Sequence, residues 1–222
     1  MTTATAPTSA PRPGGYPGAG RLALADWRRR MAALYAEVRA LAVQNPEAAW
    51  MHWRGVRSAL FREHPMSPLP RRARQGFGEI DCYPYDPALR LAAGVAALHG
   101  PSETADLDTD GVMTRRAIGR TDGLSDHLGA ELTVFWIEGY GGGIFLPLLD
   151  GTSGRESYGG GRYLLDGVKG ADLGADGDGR LILDFNFAYV PSCAVNPAYT
   201  CPLAPPENRL PMTLRAGERL GA

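Results

Sequence analysis

The chain has 222 residues, enough for one large domain with a sizeable core and too few for two equal ones. Its 23 Lys and Arg nearly cancel 24 Asp and Glu, so no overall field draws it to nucleic acid or to a membrane surface. No run approaches the roughly 18 uninterrupted apolar residues of a membrane helix, and no signal-peptide core is present, which together indicate a cytoplasmic protein whose cysteines are thiols by default.

Residues 1–22 are rich in Thr, Ala, Pro and Gly without an apolar run and read as a disordered tail, leaving 23–222 as one domain. Trp27, Met31, Leu34, Tyr35, Val38, Leu41 and Ala42 recur at helical spacing and predict a helix from about Leu24 to Val43. Asn45-Pro46-Glu47 then supplies an N-cap, a proline at the first helical position and an acid in the first turn. The second helix runs to about Arg62 with an aromatic face of Trp50, Trp53, Val56, Leu60 and Phe61, completing a helical hairpin over 23–63. Buried tryptophans there favour cover for a sheet, whereas exposed ones favour a partner surface. His64-Pro65-Met66-Ser67-Pro68 ends the helices, and Arg71-Arg72-Ala73-Arg74 reads as a solvated loop.

From Phe77 the pattern changes to short segments punctuated by Gly, Pro and Asp, with strands expected near 79–84, 88–97, 112–121, 130–138, 143–148, 161–166, 180–188 and 211–216. No helix-length interval separates them, which argues for an antiparallel β barrel or sandwich over 77–218. The fold class is therefore mainly β with N-terminal helices, an α+β arrangement. The runs Gly139-Tyr140-Gly141-Gly142-Gly143 and Tyr158-Gly159-Gly160-Gly161 read first as tight hairpins and second as a platform facing a ligand.

Several motif classes are missing. Neither glycine run is followed by Gly-Lys-Ser/Thr or a helix, so no phosphate loop is present. Asp106 to Gly111 opens like a calcium loop but puts Ala117 where a bidentate glutamate belongs, and reads as an acidic surface loop. Cys193 and Cys201 lack close-paired zinc spacing and Cys82 is distant in sequence, so no metal is assigned. Nothing in the sequence indicates a cofactor.

The chain resembles the bacterial and archaeal family known as domain of unknown function 1684. The likeness is carried by Asp150 to Leu164, Lys169 to Gly174, Asp184 to Tyr189 and Cys201 to Asn208, and it extends from about Trp27 to Glu218. It implies no established reaction or cofactor. Members commonly carry an amide and a phenol where this chain has Val190 and Val195, so two polar groups are replaced by apolar ones.

Candidate site residues are the polar groups that solvation does not explain. Asp184 and Asn186 alternate with Leu183, Phe185 and Phe187, so as a strand they share one face, either toward a barrel interior or toward solvent. Arg162 either bridges to Asp184 or Glu156 or holds a substrate carboxylate. Glu207 and Asn208 follow two prolines, giving a carboxylate in a rigid setting or a hydrogen-bonded loop. Cys193 and Cys201 read as a disulfide or structural thiol pair, as inert thiols, or as a nucleophilic or redox centre. The function expected is binding of a small anionic organic molecule, with Arg162, Asn186, Tyr158, Tyr189 and Asn208 contacting it and Asp184, Glu207 and Cys193 as the catalytic candidates. The alternatives are a non-catalytic structural or interaction protein and a split-barrel flavin-type enzyme. A homodimer is compatible with either.

Overall fold

The computed structural model describes residues 18–107 and 111–220; the rest of the expected tail and the middle of the Asp106–Gly111 loop lie outside the described residues. Two helices come first, α1 (Gly18–Ala42) and α2 (Pro46–Glu63). α1 starts several residues before the expected Leu24, inside the stretch assigned to the tail. The Asn45 side chain accepts from the Ala48 amide at 3.0 Å, capping α2 as the Asn-Pro-Glu signal implies. The basic run is a short helix, α3 (Arg71–Arg74), rather than a plain loop. Arg71 and Arg72 are exposed, while Arg74 folds back to donate to the carbonyls of His64, Ser67 and Leu69.

Among the described residues seven strands follow: β1 (Arg90–Ala97), β2 (Ser102–Asp106), β3 (Val112–Asp122), β4 (Thr133–Ile137), β5 (Gly143–Leu148), β6 (Arg162–Asp166) and β7 (Leu181–Asp184), with one helical turn, α4 (Ser125–Leu128), between β3 and β4. They pair antiparallel in the order β6-β5-β4-β3-β1-β7, and β2 continues the line of β1 along the other half of β3. Past β7 the chain turns back to β6, where Tyr163 and Tyr189 exchange backbone hydrogen bonds of 2.8 and 3.0 Å. This bridge makes the sheet a nearly closed, mostly antiparallel barrel.

The alternation along each strand divides the core in two. Phe135, Phe145 and Tyr163 point to the hairpin, against Met31, Leu34, Tyr35, Val38, Trp50 and Trp53. Val134, Leu146 and Leu164 point the other way, against Leu124, Leu128, Leu210, Leu214 and Ala216. Trp53 is fully buried and Trp50 is 7% exposed, so the aromatic helix face covers the sheet. Trp53 packs edge-on to Phe187 and donates its indole N–H to the Tyr35 hydroxyl.

Two expected strands are not strands. Residues 211–216 belong to the C-terminal wrap, the chain from Val190 to Leu220 that follows the barrel-closing bridge, and residues 79–84 lie against it, where Cys82 makes one bridge to Glu218 and the Tyr83 amide donates to the Gly217 carbonyl. Isolated bonds of this kind do not propagate into a ladder. β2 was not expected, since Ser-Glu-Thr-Ala-Asp has no apolar alternation and is almost wholly exposed. The first glycine run forms the β4–β5 connection, with Gly139 and Gly141 at φ of 114° and 85°. Gly161 (φ 92°) leads into β6, and a Cβ there would stand 2.5 Å from the Leu148 carbonyl oxygen. It is backbone crowding, not a ligand, that requires glycine at 161.

Candidate functional site

The 180–188 segment does not stay extended. Asp184 accepts from the Asn186 amide at 3.1 Å, and this side-chain turn winds Phe185–Phe187 into a 3₁₀ turn. Leu183 and Phe185 therefore enter one core and Phe187 the other. Asp184 and Asn186 remain neighbours, both buried. Asp184 also accepts from Asn186 Nδ2 at 2.8 Å, from Arg90 at 3.2 Å and from the Tyr85 hydroxyl at 3.3 Å. Asn186 in turn bonds both backbone groups of Asp86. Burial pushes the Asp184 carboxyl up, against the pull of Asn186 and Arg90. The cluster joins the start of β1 to the end of β7.

Arg162 pairs with neither Asp184 nor Glu156. Its guanidinium, fully buried, meets Asp150 at 2.8 Å and donates to the carbonyls of Leu214, Ala216 and Glu218, binding the C-terminal wrap to β6. Only its Nε lacks a partner. Asn208 is likewise consumed by backbone, bonding Thr133 on both sides and the Pro147 carbonyl. Glu207 is exposed on the turn Pro206–Asn208. Asp184, Glu207 and Cys193 thus sit in three settings that share no partner.

A second group of polar residues does converge. Beside β6, Tyr189 donates to Asp166 at 3.1 Å, and Lys169 pairs with the same Asp166 oxygen at 3.3 Å. The Lys169 ammonium also stands 5.7 Å from the centre of the Tyr163 ring, and Tyr163 donates to the Pro202 carbonyl at 2.5 Å. Next to Pro202, Cys201 Sγ accepts from the Cys193 amide at 3.4 Å. The Cys193 sulfur lies 3.6 Å from the Tyr158 hydroxyl, donating to it as a thiol and accepting from it as a thiolate.

These contacts separate the two thiols electrically. The Cys201 side chain, hydrogen-bonded to Cys193, is the main cause that lowers Cys193 to about 6; burial opposes it, and Tyr158 and the charge of Lys169 add to it. Cys201 is pushed up by the same bond and by burial. Tyr158, bonded to Cys193, rises to about 12. Cys82 is also held near 12, by burial first and then by Glu218.

A cavity of about 60 Å³ opens beside this group, between the hairpin and the wrap. Arg57, Lys169, Tyr189 and Ser192 bring polar atoms to it; Trp27, Met31 and Phe61 bring apolar surface. Val190 and Val195, the two departures from the family pattern, both line it. Arg57 lies over the rings of Trp53, Phe61 and Tyr189 at 4.8–5.2 Å and is paired with Glu218. A larger cleft of about 820 Å³ runs between α1 and α2, open to solvent. Its acids are already met: Asp26 by Arg30 and His64, Glu37 by His52, Glu63 by Arg62. Among the described residues no cluster of three or more His, Cys, Asp or Glu is placed to hold a metal, and no helix is long and apolar enough to cross a membrane.

Of the residues expected from sequence, the structure therefore brings Tyr158, Tyr189 and Cys193 into one region and leaves Arg162, Asp184, Asn186, Glu207 and Asn208 outside it. Arg57, Asp166 and Lys169 were missed. Asp166 and Lys169 are signalled by their three-residue spacing around Gly167, and Lys169 also by the family-like run to Gly174; Arg57 has no such signal, since an arginine on a helix reads as solvated.

A family model described as "Protein of unknown function (DUF1684)" matches residues 75–219. The match begins beyond the helical hairpin, which the resemblance read from sequence included from Trp27. Among solved structures, the chain is similar to the solution NMR structure of an uncharacterised protein from Haloarcula marismortui, at 29% identity over 80% of this chain and 96% of that one, with a TM-score of 0.55. No curated protein matches the chain.

Proposed function

The chain belongs to the DUF1684 family, and from that premise we propose that it binds a small anionic organic molecule in the cavity between hairpin and wrap, with the Cys193 thiolate as the reactive group beside it. One observation carries this reading. Arg57 and Lys169 both face the cavity, while their carboxylate partners, Glu218 and Asp166, are not part of its lining. The cationic member of each ion pair is thus the one set against an occupant, in a setting walled in part by aromatic rings. The volume suits a carboxylate-bearing group of a few heavy atoms.

Lys169 is the anchor in this scheme, because its side chain is half-exposed and its ammonium, paired with one carboxylate oxygen, has donors left over for a ligand. Arg57 contributes charge and Tyr189 shapes the wall. Asp184 and Glu207, the acid-base candidates, stand away from this cavity, which leaves Cys193, next in sequence to the cavity residue Ser192, as the group able to react. The burial of Trp50 and Trp53 supports a pocket over a docking face on that helix.

The test is an NMR titration of isotopically labelled protein with acetate, pyruvate, succinate and inorganic phosphate. Saturable shifts at the amides of Tyr189, Ser192 and Val195, abolished in Lys169→Gln, are expected. Shifts scattered over the surface, or unchanged by that substitution, would remove the proposal.

A further inference from the structure

The segment between Cys193 and Cys201 folds back on itself. Ser192–Ala194 form a 3₁₀ turn, and the amides of Val195 and Asn196 both donate to the Ser192 carbonyl. Asn196 then makes a second turn: its side chain accepts from the Ala198 amide and its carbonyl accepts from Tyr199. Two consecutive turns reverse the chain and return Cys201 to Cys193, eight residues back, where its sulfur accepts the Cys193 amide. Both thiols are free and both are partly open to solvent. The outer end of the segment is fixed, since Asn196 donates to the Pro68 carbonyl and Tyr163 donates to Pro202.

From this arrangement we infer that Cys193 and Cys201 form a dithiol–disulfide centre that exchanges electrons with low-molecular-weight disulfides, Cys193 attacking and Cys201 resolving. The inference stands independently of what fills the cavity. Cys193 is suited to the first step because the Tyr158 hydroxyl, 3.6 Å from its sulfur, is placed to donate to its thiolate, and the neighbouring Cys201 side chain favours that thiolate further. Cys201 is suited to the second, as a protonated thiol kept within reach until a mixed disulfide needs it.

The steps balance without further reactants. The Cys193 thiolate attacks one sulfur of the disulfide RSSR; the S–S bond breaks, RS⁻ leaves and takes a proton from solvent, and a Cys193–SR mixed disulfide remains. Formation of that mixed disulfide removes the thiolate that had held the Cys201 proton. Cys201 loses its proton to solvent and attacks Cys193 Sγ, and the second RS⁻ leaves and takes up a proton from solvent. Two thiols are oxidised by two electrons to one internal disulfide, and RSSR is reduced to two RSH. Cys82 takes no part: burial and the nearby Glu218 disfavour its thiolate.

The experiment incubates the full chain with excess hydroxyethyl disulfide at neutral pH and follows intact mass and peptide maps. Wild type should lose the mass of two hydrogen atoms, with Cys193 joined to Cys201 and Cys82 still titratable. Cys201→Ser should stop at one adduct on Cys193, and Cys193→Ser should react roughly tenfold slower or less. A wild-type chain that stops at an adduct, a bond involving Cys82, or a Cys193→Ser variant as fast as wild type would overturn the inference. The wild-type peptide map decides the matter even if a variant fails to fold. Failure here would leave the titration with small anions unaffected.

Discussion

Arg57 on α2 and Glu218 in the C-terminal wrap form an ion pair of 2.6 Å whose side chains are 5% and 1% exposed. The second oxygen of Glu218 accepts from the Val190 amide at 2.9 Å, so one carboxylate joins helix, wrap and the strand-end that closes the barrel. Removal of the arginine strands a buried negative charge. Arg57→Met should therefore lower stability by about 3–5 kcal/mol. Replacing both groups, Arg57→Met with Glu218→Leu, should recover part of that loss, because no charge is then left unpaired. Urea unfolding midpoints of the two variants and wild type measure the effect; equal midpoints for the single variant and wild type would contradict a buried pair.

Arg162 provides a second stability test, one that separates a clamp from a substrate-binding arginine. Its two terminal nitrogens serve one carboxylate and three carbonyls of the wrap. A lysine keeps the charge but cannot present donors in that planar fork. Arg162→Lys is expected to cost about 3 kcal/mol, from hydrogen bonds to a charged group left unmade, and to raise hydrogen exchange in residues 214–218. Unchanged exchange there would rule out the clamp.

Glu131 sets part of the acid sensitivity of the barrel. Burial pushes its carboxyl up, but the Thr121 hydroxyl and the amides of Ser125, Leu124 and Gly123 outweigh burial and hold it below the usual glutamate range. In the acid range the folded chain thus binds fewer protons at this site than the unfolded chain. Its contribution is present above the ordinary glutamate value and is lost as pH falls through the lowered one. Glu131→Gln should be less stable than wild type at neutral pH by about 1 kcal/mol, allowing for solvent screening. The gap should close as pH is taken below about 4. Denaturant midpoints across that range check the sign: a gap that widens in acid would be inconsistent with the four contacts.

What the sequence makes legible is what periodicity and caps encode. The α1 and α2 faces are buried or half-buried at the spacing read from Trp27 and Trp50 onward, apart from Leu41, which is 43% exposed, and Asn45 caps as its type predicts. Strands β3 to β6 follow from apolar runs bounded by glycine. The failures share a cause, which is that side-chain pattern does not specify backbone partners. β2 pairs through its backbone with β3 while its side chains face water. Residues 211–216 look like a strand because Leu214 and Ala216 alternate into the core, yet Arg162 takes their carbonyls. Asp184 and Asn186 look like a polar strand face until Asp184 accepts from the Asn186 amide and ends the strand. The candidate site was legible only in its aromatic and sulfur groups. Arg57 acquires meaning from Glu218, 161 residues away in sequence, whereas Lys169 meets Asp166 only one turn before it.

The thiol pair gives the most direct prediction, since its two members are tuned by each other. The bond from Cys201 is the largest cause that lowers Cys193 to about 6, with Tyr158 a smaller one acting in the same direction. Cys201→Ala should move the Cys193 titration most of the way back toward the ordinary thiol value of about 8.5, and Tyr158→Phe should move it part of the way. The rate of iodoacetamide alkylation at Cys193, followed by peptide mass across pH, reads the midpoint directly. At neutral pH the wild-type thiol is mostly ionised, so its alkylation rate should change little from pH 7 to 9, whereas that of Cys201→Ala should rise several-fold over the same interval as thiolate accumulates. The ordering matters more than the size of either shift. If Tyr158→Phe moved the midpoint further than Cys201→Ala, the tyrosine rather than the second thiol would be what holds the negative charge, and Cys193 would act with a phenol as its partner.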